Sequence, residues 1–306
     1  MIRVITFLLI YVICFINSFG QVTAEEIVIK NNQIELPGTL SYTQKNSPLL
    51  IWVHGSGNVD RNGNQAPLVK ANYIQQFRNA VNQHHLAFFS YDKRTANPKN
   101  NEYLKGTLFE DFVADTKKVV SYFKDNHQFS ELILVGHSQG SLVAMLASEK
   151  ATKYVSLAGP ANTIDSLIVK QLKKQAPFLE TALNAHFKEL KETDTIKEVN
   201  PLFMSILSPE NLPFIKSWMH YNPSEEIKKI TLPTLIINGT KDLQVAVEDA
   251  ELLHKANPNA TLVVINNMNH VLKHITKNED NQNSYLSPDY PVSEKLIKSI
   301  VNFAKQ

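Results

Sequence analysis

The sequence predicts an α/β fold built on a mostly parallel β-sheet, and three features of the chain carry that prediction. Short, nearly continuous apolar runs recur along it, as expected for strands that are buried on both faces. Segments with helical periodicity separate most of these runs, and such repetition implies right-handed crossovers with helices on both faces of the sheet. The 306 residues are 43% hydrophobic and 20% charged, which is a globular composition that supports a large core.

The individual elements can be assigned in order. Two segments that alternate apolar and polar residues, 26–30 and 34–43, predict an antiparallel pair at the start. The buried strands follow at residues 49–53, 86–91, 132–135, 154–157, 234–237 and 261–265. Helical patterns occupy residues 73–83, 107–126, 140–148, 247–256 and 292–304. The alternation continues without a break in composition, which favours one α/β domain over residues 25–306.

One stretch interrupts this alternation. Residues 160–230 show helical periodicity, as in DSLIVKQLKKQ, but no convincing strand. Because the stretch is too long for an ordinary connection, it predicts a helical insertion that forms a cap over the sheet. A structural crossover without any ligand contact is the alternative interpretation.

The first twenty residues have the features of a secretory signal peptide. Arg3 precedes an apolar run, and small residues follow at Ser18 and Gly20, with a second possible cleavage site after Ala24. An uncleaved membrane anchor is the alternative, but the apolar run is shorter than the roughly 20 residues that span a bilayer. We therefore expect an exported protein, periplasmic or secreted, without a membrane span. Cleavage would also remove Cys14, the single cysteine.

Charge and ligand-type residues exclude several classes of function. The chain carries 31 basic and 29 acidic residues, a net charge of +2, spread without a basic face. Nucleic acid and anionic membrane surfaces are therefore not expected partners. The spacing of His270 and His274 is that of a metal pair, but no acidic motif or cysteine completes it. We expect neither a metal nor a cofactor.

A candidate nucleophile lies in the pentapeptide GHSQG, residues 136–140, between a predicted buried strand and a predicted helix. A tight turn at this place requires glycine on each side of the serine, because other side chains would collide with the flanking elements. Such a turn, the elbow, exposes the hydroxyl of Ser138 at the carboxyl end of the sheet. The GxSxG pattern alone is weak evidence for a nucleophile, but its position between a strand and a helix makes it specific.

A serine hydroxyl needs a base to remove its proton and an acid to orient that base. His270 is the best placed of the ten histidines, because it follows the last predicted strand. Asp242 follows the preceding strand and is the candidate acid, whereas Glu248 and Asp249 fall inside a predicted helix. A loop histidine and a helix cap are the ordinary roles of such residues. Their joint placement with Ser138 favours a catalytic triad.

The segment HGSG, residues 54–57, follows another buried strand and predicts an oxyanion loop. Backbone N–H groups aimed at a tetrahedral oxyanion each contribute roughly a hundredfold in rate or more. We expect these donors to be the amides of Ser56 and Gln139, with Gly57 as the alternate. A turn-capping role for the Ser56 side chain is equally consistent with the pattern.

Five motifs together resemble the α/β-hydrolase superfamily, in particular its esterase and serine-aminopeptidase-like branch. They are HGSGNVDRNG (54–63), YDKR (91–94), GHSQG (136–140), GTKDLQV (239–245) and MNH (268–270). Thr95 and Ser141 stand where such proteins commonly carry glycine. The resemblance implies the α/β-hydrolase fold and a serine hydrolase that uses Ser138, Asp242 and His270 without a cofactor.

The implied activity is hydrolysis of small-molecule carboxylic esters through an acyl-enzyme intermediate. A serine aminopeptidase-like peptidase with the same triad is the main alternative, and it needs carboxylates for a peptide amine; the candidates are Glu180, Glu189 and Glu192. A non-catalytic binding protein on a hydrolase scaffold is the third, although no triad member is missing. Four aromatic residues of the predicted cap either line an acyl pocket or pack the cap on the sheet: Phe203, Phe214, Trp218 and Tyr221.

Four charged residues close to the oxyanion loop complete the candidates. They are Asp60, Arg61, Asp92 and Arg94. We expect them to pair with one another and brace the loop, because an arginine that binds a substrate carboxylate needs an exposed guanidinium.

Overall fold

The computed structural model describes residues 21–67, 69–126 and 129–306, in which eight strands form one sheet. Its strand order is β1-β2-β4-β3-β5-β6-β7-β8. The strands are β1 (Thr23–Asn31), β2 (Ile34–Tyr42), β3 (Leu49–Val53), β4 (Ala87–Tyr91), β5 (Leu132–His137), β6 (Lys153–Leu157), β7 (Thr234–Gly239) and β8 (Thr261–Ile265). The β1–β2 and β2–β4 pairs are antiparallel, and the remaining pairs are parallel. The predicted leader, residues 1–20, lies outside the described residues.

Helices connect the strands and cover both faces of the sheet. They are α1 (Tyr73–Asn82), α2 (Phe109–Asn126), α3 (Gln139–Leu146), α4 (Ile164–Gln175), α5 (Glu180–Thr193), α6 (Met204–Leu207), α7 (Leu212–Met219), α8 (Pro223–Glu226), α9 (Val247–Ala256), α10 (Asp280–Asn283) and α11 (Glu294–Ala304). Within the described segments, no helix has the length and apolar character needed to cross a membrane.

Two hydrophobic cores lie on opposite faces of the sheet, because successive side chains of a strand point to opposite sides. In β3, residues 49, 51 and 53 enter the core that α2 and α3 cover, whereas Leu50 and Trp52 enter the core that α1 and α11 cover. Trp52 is fully buried there against Phe77 of α1, with ring centroids 5.4 Å apart. This two-sided burial explains the continuous apolar runs in the sequence.

The structure confirms the predicted mostly parallel sheet with an antiparallel start, and it corrects two details. The strand at residues 261–265 is not buried on both faces, since Thr261 is exposed and Val264 is 39% exposed. It is one of the two edge strands of the described sheet, with a neighbour on one side. Helix α3 begins at Gln139, one residue before the predicted start, because the preceding serine has a backbone conformation outside the helical region.

The segment between β6 and β7 is helical, containing α4 to α8. Its α7 packs on α2, where the rings of Trp218 and Phe109 stack with centroids 5.3 Å apart. Its α4 reaches the loop that follows β7, because the Gln171 side chain donates a hydrogen bond to the Gln244 carbonyl. Both contacts lie at the carboxyl edge of the sheet, where the loops after β4 and β7 begin. We call residues 160–230 the helical insertion.

Candidate active site

Ser138 occupies the turn between β5 and α3 in a backbone conformation that few residues adopt. Its φ is 55° and its ψ is −121°, and the side chain is half-buried. Such strain persists only where the surroundings enforce it. A methyl group at Gly136 would lie 2.3 Å from the Gly140 carbonyl oxygen, and one at Gly140 would lie 2.1 Å from that of Val53. The two glycines therefore allow the turn, as the GxSxG pattern predicts.

His270 and Asp242 form a buried hydrogen-bonded pair. The distance between His270 Nδ1 and Asp242 Oδ2 is 2.8 Å, and the side chains are 4% and 1% exposed. The second carboxylate oxygen accepts the backbone N–H groups of Gln244 and Val245 at 2.8 and 2.9 Å. In a neutral ring whose Nδ1–H donates to the carboxylate, the lone pair is on the other ring nitrogen of His270, Nε2. This is the protonation state of a general base.

The hydroxyl of Ser138 makes no hydrogen bond to His270 among the residues that the structure describes. The loops that carry the two residues are nevertheless in contact, because His137 Nε2 donates to the His270 carbonyl oxygen at 2.8 Å. The rings of His137 and His270 lie 4.8 Å apart between centroids. Hydrogen bonds between a nucleophile and its base are often absent or long before substrate binds.

The other two histidines near the elbow have structural positions. Burial lowers the pKa of His54 to about 4 and brings the pKa of His137 well below its ordinary value. Both rings are therefore neutral at physiological pH. His54 Nε2 contacts the Tyr91 carbonyl oxygen, and His137 is occupied by the His270 backbone. Their lowered pKa values make both rings weaker bases than an ordinary imidazole.

The predicted oxyanion loop lies directly against the elbow. A methyl group at Gly55 would be 3.2 Å from the Cβ atom of Ser138, a tight contact that shows how closely the two backbones approach. Ser56 is exposed at this point. Gln139 is the first residue of α3, where backbone N–H groups have no partner within the helix. The two predicted donor residues thus flank Ser138, one on each loop.

Lys93 is the residue of this site that sequence reasoning missed. It is 6% exposed, and its Nζ donates to the Gly55 carbonyl at 2.8 Å and to Gln139 Oε1 at 2.7 Å. The ammonium lies 4.3 Å from the centroid of the Phe112 ring. Burial lowers the pKa of Lys93 to about 7. The YDKR motif that contains it gave the signal, but the motif alone does not reveal which groups a lysine contacts.

The charged residues around the loop pair as braces. Arg61 binds Asp92 through its backbone N–H, its Nε and its Nη2, at 2.9, 3.0 and 2.8 Å. This confirms the expected pairing for Arg61 and Asp92, whereas Asp60 accepts the backbone N–H groups of Asn62 and Asn64 in its own loop. Arg94 instead binds Asp115 of α2 at 2.7 and 2.8 Å, a partner that the motif did not indicate. Arg94 is 4% exposed, so its guanidinium is not available to a substrate carboxylate.

The rival carboxylates occupy other positions. Asp249 is fully buried in α9, where it accepts from Lys170 at 3.0 Å and from the Ala161 backbone at 3.1 Å. The glutamates considered for a peptide amine each have a local partner within the helical insertion: Lys173 for Glu180, Lys197 for Glu189 and Lys188 for Glu192. In the described part of the chain, no three His, Cys, Asp or Glu side chains converge as a metal site requires.

The order of the strands, the elbow at Ser138 and the two loops beside it are features of one fold, and solved structures superpose on this chain. Est1E from Butyrivibrio proteoclasticus superposes with a TM-score of 0.60 at 16% identity, covering 92% of this chain and 99% of Est1E. The α/β hydrolase GrgF from Penicillium sp. sh18 gives a TM-score of 0.58 at 15% identity, covering 93% and 98%. The protein therefore has the α/β-hydrolase fold.

The family follows from the sequence itself. Residues 38–256 match the model of the BD-FAE family, and the chain belongs to that family. Esterase EstD of Thermotoga maritima is 25% identical over 249 residues, which is 78% of this chain and 58% of EstD. The chain thus spans less than two thirds of the length of this curated relative. The motif-based resemblance to the esterase-like branch of the α/β-hydrolase superfamily is confirmed.

Proposed function

We propose that this protein is a carboxylesterase that hydrolyses small-molecule acyl esters through Ser138, His270 and Asp242. The observation that carries the proposal is the 2.8 Å bond between His270 and Asp242, on a loop that is hydrogen-bonded to the elbow. The name of the curated relative, esterase EstD, supports an ester as substrate.

The proposed reaction is acyl transfer to water. His270 Nε2 takes the proton of the Ser138 hydroxyl while Oγ attacks the ester carbonyl carbon, and Asp242 stabilises the imidazolium that results. The amides of Ser56 and Gln139 stabilise the oxyanion of the tetrahedral intermediate. The intermediate collapses, the alcohol leaves with the proton from His270, and an acyl group remains on Ser138. Water then attacks the acyl-enzyme by the same steps.

A peptidase would use the same three residues, so its distinguishing feature is a site for the peptide amine. The three glutamates considered for that role are bonded to nearby groups of the helical insertion, mostly lysines. Glu180 pairs with Lys173 at 3.0 Å, Glu189 accepts the backbone N–H of Lys197, and Glu192 lies 3.9 Å from Lys188, so none of the three is shown bonded to another in the described residues. We therefore favour ester substrates.

Two substrate series separate these activities. The first is nitrophenyl acetate and butyrate, and the second is aminoacyl nitroanilides, each measured with the wild type and with Ser138→Ala. We expect kcat/KM for the esters to exceed that for the anilides by more than about a hundredfold. Removal of a serine nucleophile lowers kcat by about 10⁶-fold in serine hydrolases, so the variant should be inactive. Equal or faster anilide cleavage, or full activity of Ser138→Ala, contradicts the proposal.

A further inference from the structure

Lys93 is a buried lysine that the proposed reaction does not use. Transferring an ammonium from water to a protein interior is costly unless a carboxylate or several acceptors compensate it. Arg94 takes both oxygens of Asp115, the nearby carboxylate. None of the ion pairs of the described residues includes Lys93. Its acceptors are instead the Gly55 carbonyl and the Gln139 side chain, which belong to the two loops around Ser138.

We propose that Lys93 is the positioning residue of the oxyanion hole. By binding the Gly55 carbonyl it sets the direction of the Ser56 N–H, and by binding Gln139 it links that loop to the elbow. The inference rests on the proposed function, because it assigns a role in stabilising the oxyanion of the same reaction.

The geometry of the peptide bond connects the lysine to the oxyanion. The described residues contain a single cis peptide bond, at Ala66–Pro67, so the bond between Gly55 and Ser56 is trans. In a planar trans peptide the C=O and N–H groups point in opposite directions. The Gly55 oxygen points towards Lys93, to which it is hydrogen-bonded at 2.8 Å, so the Ser56 N–H points away from Lys93. Rotation of this peptide would break the bond to Lys93.

The contacts of Lys93 also hold the two loops at a fixed distance. One Nζ atom binds both the loop after β3 and the first residue of α3, so it acts as a clamp between the two predicted donors. A cavity of about 10 Å³ adjoins these groups, with Phe112 and Asp115 among its lining residues. This is the size of the smallest cavities that hold one water molecule, so there is little room for the clamp to move.

Lys93 can hold its two acceptors whether its amine is charged or neutral. Asp115 with its partner Arg94, the neutral His54, and the rings of Tyr91 and Phe112 surround the cavity beside Lys93. A neutral amine keeps two N–H groups, which is enough for its two acceptors. We therefore test the positioning role by removing the nitrogen rather than by changing pH.

The experiment compares Lys93→Met with a matched control, Lys153→Met. Lys153 is also 6% exposed and also donates to backbone carbonyls, those of Phe303 and Ala304, but it begins β6 at the opposite edge of the sheet. Unlike Lys93 it has an ion pair, with Glu131 at 2.7 Å, so the control also removes a charge partner. With nitrophenyl acetate, we expect Lys93→Met to lower kcat by about a hundredfold, as loss of one oxyanion donor does. KM should stay within about threefold, and Lys153→Met should keep kcat within about twofold.

A transition-state analogue gives a readout that a general loss of stability would not move. A trifluoromethyl ketone forms an anionic hemiketal with a reactive serine. Its inhibition constant should rise by about a hundredfold in Lys93→Met, in parallel with the loss of kcat. An inhibition constant equal to that of the wild type would overturn the inference.

The outcomes separate this inference from the proposed function. If Ser138→Ala retains activity or the wild type hydrolyses no ester, the proposed function fails and the role of Lys93 fails with it. If the wild type depends on Ser138 and folded Lys93→Met keeps its kcat, the inference about Lys93 alone is wrong. If Lys93→Met does not fold, Gln139→Met still removes half of the clamp. It should lower kcat about tenfold at constant KM, and an unchanged kcat would contradict the inference.

Discussion

Replacing Asp242 by asparagine tests the orientation of His270 with minimal change of shape. One side-chain oxygen of Asp242 accepts two backbone N–H groups, from Gln244 and Val245, at 2.8 and 2.9 Å. In the Asp242→Asn variant the amide oxygen must keep this position, because an NH₂ group there would face two donors. The NH₂ group therefore faces His270 Nδ1, where the carboxylate now accepts at 2.8 Å.

The consequence is a change of tautomer. An NH₂ group is a donor, so His270 Nδ1 must become an acceptor and the ring proton must move to Nε2. Nε2 then has no lone pair to take the proton of Ser138. In a Ser–His–Asp triad this change lowers kcat by about 10⁴-fold while the geometry is preserved. We expect that loss for Asp242→Asn, with KM for nitrophenyl acetate within about threefold of the wild type.

Asp249→Asn is the matched control for this measurement. Asp249 is also a fully buried aspartate that accepts a backbone N–H, but its partners are Lys170 and Ala161 rather than His270. Its substitution should change kcat by less than about threefold, even if the protein becomes less stable. A loss of less than about tenfold in Asp242→Asn, or equal losses in the two variants, would refute the tautomer argument.

Three further changes test the elbow, the helical insertion and the buried lysine. Gly136→Ala should lower the free energy of urea unfolding by about 3 kcal/mol or more, because its methyl group would lie 2.3 Å from the Gly140 oxygen. Gly106→Ala, with nothing within 4 Å of the new methyl group, should lower it by about 1–2 kcal/mol because of the positive φ at this position. Equal losses in the two variants would contradict the steric argument. Trp218→Ala should cost about 3–5 kcal/mol with an unchanged preference between acetate and butyrate esters, whereas a shifted preference would place the ring in an acyl pocket. Burial lowers the pKa of Lys93 from 10.5 to about 7, so the unfolded chain binds more protons than the folded chain between these pH values. The free energy of unfolding of the wild type therefore rises from pH 7 to pH 10.5 and falls again as the pH is lowered through this range. Relative to Lys93→Met, the wild type should gain about 2 kcal/mol in urea unfolding from pH 7 to pH 9, and a constant difference would show that the lysine is not desolvated.

The fold could be predicted from the sequence because its strands are buried on both faces and its helices have one apolar face. The eight strands occupy the predicted places, and α9 has the predicted bounds, residues 247–256. Errors concern local conformation and position in the sheet. The start of α3 depends on the φ of 55° at Ser138, and the exposure of β8 depends on its place at the edge. Neither is encoded in apolar periodicity.

The sequence predicts those residues of the candidate site that directly follow the end of a strand. It does not predict contacts between side chains that come from distant parts of the chain. Asp242 and His270 both follow strands of one sheet, and their hydrogen bond follows from that placement. The pairing of Arg94 with Asp115 joins a loop to the middle of α2, and the two bonds of Lys93 join residues 38 and 46 positions away. Such partners depend on packing distances that motif spacing does not contain.

Labelling with a fluorophosphonate tests most directly whether Ser138 is an activated nucleophile. The reagent phosphonylates serines that an adjacent base deprotonates, and intact-mass measurement followed by peptide mapping locates the adduct. We expect one adduct per folded chain on the peptide that contains Ser138, slower labelling of Asp242→Asn, and no labelling of Ser138→Ala. An unlabelled wild type, or an adduct that persists in Ser138→Ala, would contradict this expectation.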